Sequence, residues 1–465
     1  MIKSPQKSVF IRFLPPLLMA LLVLNLGWNT PRSNFNFFIA QYVASFALFY
    51  LIWLNRAEFS FRHFLIFVVF LRLLLLPTLP DLSNDFYRFI WDGELLNRGV
   101  NPFAHTPNQL MHDPLLYGEG YMRSLYHGMG DLSQAHYTCY PVLNQFIFYL
   151  ATLLSNSLVS NVIALRVVIL LADLGAIYFA KKIADHLKID AHSIWLYALN
   201  PFIILEFTGN LHFEGVMIFF LLGAIYALLK NQWMVGAIFF ACAIQIKLLP
   251  LMLLPFVLKK LKWRLSIGFL ALTAFTVLAI GGLMLNMTYY QNMMESVNEY
   301  FIRFQFNGSI SYLVSAIGHW MIGWEPLQFT GPVLSGIATF GILLLALLKA
   351  HRNELDIFKG MLFALMIYYS LTAIVHPWYI SLILVLSIFT QYKFGLIWSF
   401  LVMLSYSAYA DPSGFKENHL FIFVEYALVY VVLFYEIYTY WKIGRKKNEA
   451  NPIGIQFKSF FSKTE

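Results

Sequence analysis

Three side chains, Asp85, Arg88 and Asp92, stand three and four residues apart in a chain otherwise poor in acids. On a helix that spacing stacks two carboxylates and a guanidinium on one face. A carboxylate placed there can take a proton from a hydroxyl if a cation keeps it ionised, and Arg88 is the neighbour the spacing offers. A plainer reading competes: Asp85 in a first helical turn favours the dipole, and Asp92 is solvated. Ser83 or Asn84 can cap the helix, Gly99 and Pro102 can end it, and Phe86, Phe89, Ile90 and Leu96 fall along the other side. The expectation is an amphipathic helix lying on a membrane surface with its acids toward water.

Three further groups hold chemistry. Lys247 lies inside an apolar stretch, where a charge is costly unless it is paired or faces a polar cavity, so its ammonium can hold a phosphate with Gln245 assisting, or snorkel to the interface. Asn210, His212 and Glu214 sit at a turn between two apolar runs, where Asn also serves purely local needs. His376, Trp378 and Tyr379 follow one another around Pro377, and such aromatics are ordinarily interfacial anchors, although His376 can donate to phosphate or sugar oxygens. His105, His112, His127 and His136 match no metal spacing and read as solvated. Arg72, Arg166 and Asp173 read as intramembrane pairs that fix a bundle.

The elements that must position these groups are membrane helices. Of 465 residues 59% are hydrophobic and 12% charged, and the mean hydropathy is +0.66. This composition with recurring apolar runs implies an all-α polytopic membrane protein. The net charge of +8 sits in short loops and reports topology rather than nucleic-acid binding. Cys139 and Cys242 support neither a disulfide framework nor a thiolate metal site. No Walker motif, dinucleotide glycine pattern or serine hydrolase elbow is present, which argues against a soluble nucleotide-sugar site.

Apolar runs near 10–28, 36–54 and 63–80, with Lys3, Lys7, Arg12, Arg56 and Arg62 kept inside, make 81–139 a large outer loop. The first run reads as an uncleaved helix. Residues 140–154 read as an interfacial or re-entrant piece, 192–208 and 212–229 as spans, and 233–258 as a broken hairpin with Lys247 near its outer tip. Later runs, with Lys349, His351, Arg352 and Lys359 inside, bring the count to about 12 crossings. Residues 1–441 form one transmembrane domain and 442–465 a basic cytoplasmic tail with Arg445, Lys446 and Lys447. The scheme brings the candidate residues to one membrane face.

The residues then resemble the GT-C superfamily, most closely the polyprenol-phosphate-mannose-dependent mannosyltransferases, including bacterial relatives of the GPI mannosyltransferase. The likeness rests on Ser83 to Arg88 with Trp91, Asp92 and Gly93, and on the Gly99 to Phe103 turn. It continues in Tyr140 and Pro141 with Gln145, in Asn200 and Pro201 before Asn210, His212 and Glu214, in Lys247 to Pro250, and in His376 to Tyr379. It implies inverting transfer of a sugar, mannose in the first instance, from a polyprenyl phosphate to a glycan, lipid or protein hydroxyl. It places the site on the outer face of a bacterial-type inner membrane. Asp85 corresponds to the catalytic acid, Lys247 and His376 to groups that steady the phosphate. Arg88, Asp92, Tyr140, Gln145, Asn210, His212, Glu214, Trp378 and Tyr379 are the further candidates for substrate binding. Where relatives have a paired acid this chain has Ser83, which weakens the case for a metal, and no cofactor is expected. A transporter or flippase of a lipid-linked or polar solute is the rival class, but it would place polar groups at the midplane on several helices and show internal repeats.

Overall fold

Apolar runs wind into helices, and interruptions fall where proline or freed backbone demands them. The computed structural model describes residues 5–449 except 114, 115, 117, 154, 303, 325, 326, 349–352, 412 and 413, with side chains described outside 5–11, 300–302 and 444–449. Lys3, Lys349, His351, Arg352 and the tail beyond 449 lie outside the described residues, as do the side chains of Lys7, Arg445, Lys446 and Lys447. The described residues form an all-helical fold with one isolated parallel bridge between Phe306 and Ile374.

The helices relevant to the site are α1 (Pro5–Trp28), α2 (Phe35–Leu54), α3 (Phe61–Leu74), α4 (Asp85–Asn97), α5 (Gly120–Ala135), α6 (Val142–Thr152), α7 (Leu158–Leu187), α8 (Glu214–Leu229) and α9 (Trp233–Ile246). There follow α10 (Trp263–Gly281), α11 (Met287–Ile302), α12 (Ile310–Ile322), α13 (Leu327–Leu348), α14 (Leu355–Leu371), α15 (Ile380–Ile388), α16 (Phe394–Leu401) and α17 (His419–Glu449). Among the described residues, five helices are long and apolar enough to cross a bilayer: α2, α7, α10, α13 and the stretch His419–Ile443 of α17. Residues Pro201–Gly209 with α8 make a sixth if they count as one bent span.

The chain departs from the expected continuous span at 192–208. It runs instead through short pieces, ends in a π-wound turn at Ile204–Gly209, and bends by 111° into α8. Pro201 supplies no N–H, and the chain restarts with Asn200 Oδ1 accepting from the Phe202 amide at 3.1 Å. The break leaves carbonyls that water cannot reach in a bilayer, and Arg166 from α7 satisfies them. Its buried guanidinium donates to the carbonyls of Thr208 and of Gly209 (2.9 Å), and to those of Leu76 (2.7 Å) and Thr78 (2.6 Å) in the turn after α3. Arg166 is therefore not an ion-pair partner, contrary to expectation. The pair is Arg72 with Asp173, 2.6 Å apart and fully buried, with the Tyr197 hydroxyl donating to Asp173 at 2.7 Å.

α4 also corrects an expectation. Its polar face does not look toward water: Asp92 is fully buried, and Arg88 binds it through Nε at 2.7 Å. Arg88 Nη1 also donates to the carbonyls of Ser133 (2.7 Å) and His136 (3.0 Å), and Gln145 Nε2 donates to Asp92 Oδ2 at 3.1 Å. α5 and α6 thus cover both sides of the helix. Gly93 permits the approach of α6, since a Cβ there would stand 2.4 Å from the Phe148 carbonyl oxygen.

Candidate active site

α4 begins at Asp85, and the chain before it is tied down twice. Ser83 Oγ accepts from the Asp85 amide at 3.3 Å, while Asn84 Nδ2 reaches α5 and donates to the carbonyls of Gly128 (3.3 Å) and Met129 (3.0 Å). Those carbonyls are exposed because α5 is kinked at Gly130, whose φ of 78° favours glycine. Asn210 Oδ1 accepts from the Leu82 amide at 3.3 Å, so the α8 break and the start of α4 are fixed to each other. Leu211 beside it holds a φ of 63°, a strained value for a branched side chain.

Asp85 opens on a cavity of 460 Å³. Eight of the twelve sequence-derived candidates line it: Asp85, Tyr140, His212, Glu214, Lys247, His376, Trp378 and Tyr379. The others stand behind the wall. Arg88, Asp92 and Gln145 form the bonded set inside α4 and α6, and Asn210 ties the loops. Arg88 is committed to Asp92, so it is not the cation that acts on Asp85. Gln245 bonds the Val277 carbonyl at 2.8 Å and takes no part in the lining. The four loop histidines also stand outside the lining.

The charges around Asp85 come from elsewhere. Lys247 sits where α9 stops and the backbone extends (φ −153°, ψ 140°) before a 3₁₀ turn at Leu249–Leu253 containing Pro250. Asn144 of α6 holds that break by donating to the Ile246 carbonyl at 2.6 Å. The Lys247 ammonium pairs with Glu214 in the first turn of α8 and lies 4.1 Å from the Tyr379 ring centre. The Tyr140 hydroxyl donates to Asp85 Oδ2 over a long 3.5 Å. Burial pushes the Asp85 carboxyl up to about 6; Lys247, Tyr140 and Arg32 pull it down, and Glu214 pushes it further up. A carboxylate with this value is ionised at neutral pH and basic enough to accept a proton.

Another part of the lining is a stack of four rings. His212 lies 3.6 Å from Trp378, Trp378 lies 4.5 Å from His376, and His376 lies 4.8 Å from Phe306. Both faces of Trp378 are therefore taken by imidazoles, and only its edge is left for a ligand. His212 Nε2 is also 3.3 Å from the buried Glu206, which accepts from the Tyr406 hydroxyl at 2.9 Å. The segment carrying Phe306 runs parallel to the loop before His376: the Phe306 amide donates to the Ala373 carbonyl (3.0 Å) and the Val375 amide to the Phe306 carbonyl (2.9 Å).

Sequence reasoning missed Arg32, Phe304, Phe306, Tyr406 and Tyr409, all of which line the cavity. The aromatics carry no signal in a chain with 45 Phe and 27 Tyr. Arg32 does: it lies in the turn between the first two apolar runs, on the side that the positive-charge pattern leaves poor in cations.

The family described as alpha-(1->6)-mannopyranosyltransferase, N-terminal domain, matches residues 20–264, a range that includes Asp85, Glu214 and Lys247 but not His376. Alpha-(1->6)-mannopyranosyltransferase A of Mycobacterium tuberculosis is 24% identical over 187 residues, which are 39% of this chain and 34% of the relative. The protein of the same description from Corynebacterium glutamicum is 22% identical over 180 residues, 38% of this chain and 34% of the relative. The matched stretch thus spans 34% of the length of either curated relative.

Proposed function

This chain belongs to the alpha-(1->6)-mannopyranosyltransferase family, and from that premise we propose that it moves mannose from a polyprenyl phosphate to a hydroxyl of a glycan, lipid or protein. The observation that carries the reading is a single cavity in which Asp85 shares the lining with the paired Lys247 and Glu214. Asp85 takes the acceptor proton as the acceptor oxygen attacks the anomeric carbon. The bond from that carbon to the phosphate oxygen breaks with inversion, and its electron pair leaves with the phosphate, steadied by Lys247 and His376. Leu248, Leu249, Met252 and Val297 give the cavity an apolar side suited to a lipid donor. Transfer of labelled mannose to membrane extract tests this: the purified protein should use polyprenyl-phosphate mannose and leave GDP-mannose untouched. Equal use of GDP-mannose would sink the lipid-donor reading.

The same proposal takes residues 1–441 as one bundle of about 12 crossings, a count that the short broken helices must help to supply. The cavity then opens on the outer face of a bacterial-type inner membrane, with 442–465 inside. Three ion pairs support this orientation. Glu354 pairs with both His186 (3.0 Å) and Lys260, and Arg12 with Glu58 (3.3 Å), so loops that the charge pattern assigns to the inside meet one another. The main buried core, which runs from Met19 to Leu433, supports a single domain. With Cys139 and Cys242 changed to serine, Ser124→Cys and Asp185→Cys should react with an impermeant maleimide from opposite sides. Labelling of both from one side would overturn the orientation.

A further inference from the structure

We propose that Arg32 is the cation that takes up the charge of the departing lipid phosphate, a role that rests on the transferase reading above. Arg32 lies in the turn between α1 and α2 and lines the cavity that holds Asp85 and Lys247. Its guanidinium carbon lies over the ring of Tyr409, 4.5 Å from the ring centre and remote in sequence. No carboxylate among the described residues pairs with it.

The charge balance of the cavity makes this residue necessary. Lys247 is matched by Glu214, so the pair brings hydrogen-bond donors to a phosphate but no net positive charge. His376 is packed between Trp378 and Phe306 and adds a neutral donor. Asp85 is negative whenever it can act as a base. A phosphodiester donor adds one more negative charge, and breaking the sugar–phosphate bond adds another as the electron pair passes to the phosphate oxygen. Among the described residues Arg32 is the cation of the lining that remains unmatched, and its planar fork suits phosphate oxygens. Because the phosphate gains charge as the bond breaks, Arg32 acts more strongly on the transition state than on the bound donor. Its pull on the Asp85 carboxyl places the two charges within electrostatic reach of each other.

The test uses the full chain in a phospholipid-free detergent at pH 7.5, with farnesyl phosphate and farnesol as probes and direct binding as readout. The wild type should prefer the phosphate to the alcohol. Arg32→Gln should weaken farnesyl phosphate binding by about ten- to a hundredfold, leave farnesol binding unchanged, and lower kcat more than it raises the donor KM. Arg32→Lys should recover part of the phosphate binding. A wild type that does not prefer the phosphate would overturn the lipid-phosphate donor itself, and this inference with it. A wild type that prefers it, beside an Arg32→Gln variant that prefers it equally, would overturn the role of Arg32 alone. Competition by phosphatidylglycerol as strong as that by farnesyl phosphate would also overturn it, assigning Arg32 to a bilayer headgroup.

Discussion

Asp85→Asn should reduce mannosyl transfer by about 10²- to 10⁴-fold without lowering the unfolding temperature. The amide keeps the shape of the carboxyl and can still meet the Tyr140 hydroxyl. It also removes a charge from a site where burial opposes ionisation, so the fold loses nothing by the change. The same reasoning gives the pH profile of the wild type. The active form is the carboxylate, and its proton affinity is raised from the ordinary acid range to about 6. Above that value nearly all molecules carry the base; below it the rate should fall about tenfold for each further unit of pH. The residual rate of the Asn variant should lack this acid limb. Full transfer in a folded Asp85→Asn variant would remove Asp85 as the base. An acid limb near pH 4 in the wild type would show that burial does not act on the group that limits the rate.

The parts of the site legible in the sequence are those where a local rule is broken. Lys247 stands out because a lysine followed by Pro250 and Pro255 cannot continue a buried helix, and the chain does break there. Asp85 stands out because acids are scarce. Misreadings arise where the deciding contact is remote. Arg88 and Asp92 look like a solvated acidic face until α5 and α6 are laid over them, and the cover comes from Ser133, His136 and Gln145, some 45 to 53 residues on. Trp378 looks like an interfacial anchor because nothing local reveals that His212, far away in sequence, stacks on it. The span at 192–208 looks continuous by composition, yet it is interrupted beside the cavity, where backbone must leave the helix to carry Asn210 and His212. Arg32 was visible as an exception to the charge pattern, but only its position over Tyr409 turns that exception into a site.

The Lys247 and Glu214 pair separates a structural role from a chemical one. Lys247→Met leaves Glu214, whose side chain is 4% exposed, without its partner, and should cost about 2–3 kcal/mol of stability as well as about a hundredfold in transfer. Adding Glu214→Gln removes the orphaned charge. The unfolding temperature of the double variant should return close to that of the wild type, because a neutral replacement of a buried pair costs little. Transfer should stay low, because the ammonium that meets the phosphate is still missing. The two measurements therefore move together in the single variant and part in the double one, a coupling expected only between groups in contact. Recovery of transfer in the double variant would show that Lys247 serves only to hold the break between α9 and the turn at Leu249–Leu253. The phosphate would then be left to Arg32 and His376. Low transfer with restored stability leaves Lys247 as a group that touches the donor, with Glu214 setting how much of its charge the donor feels.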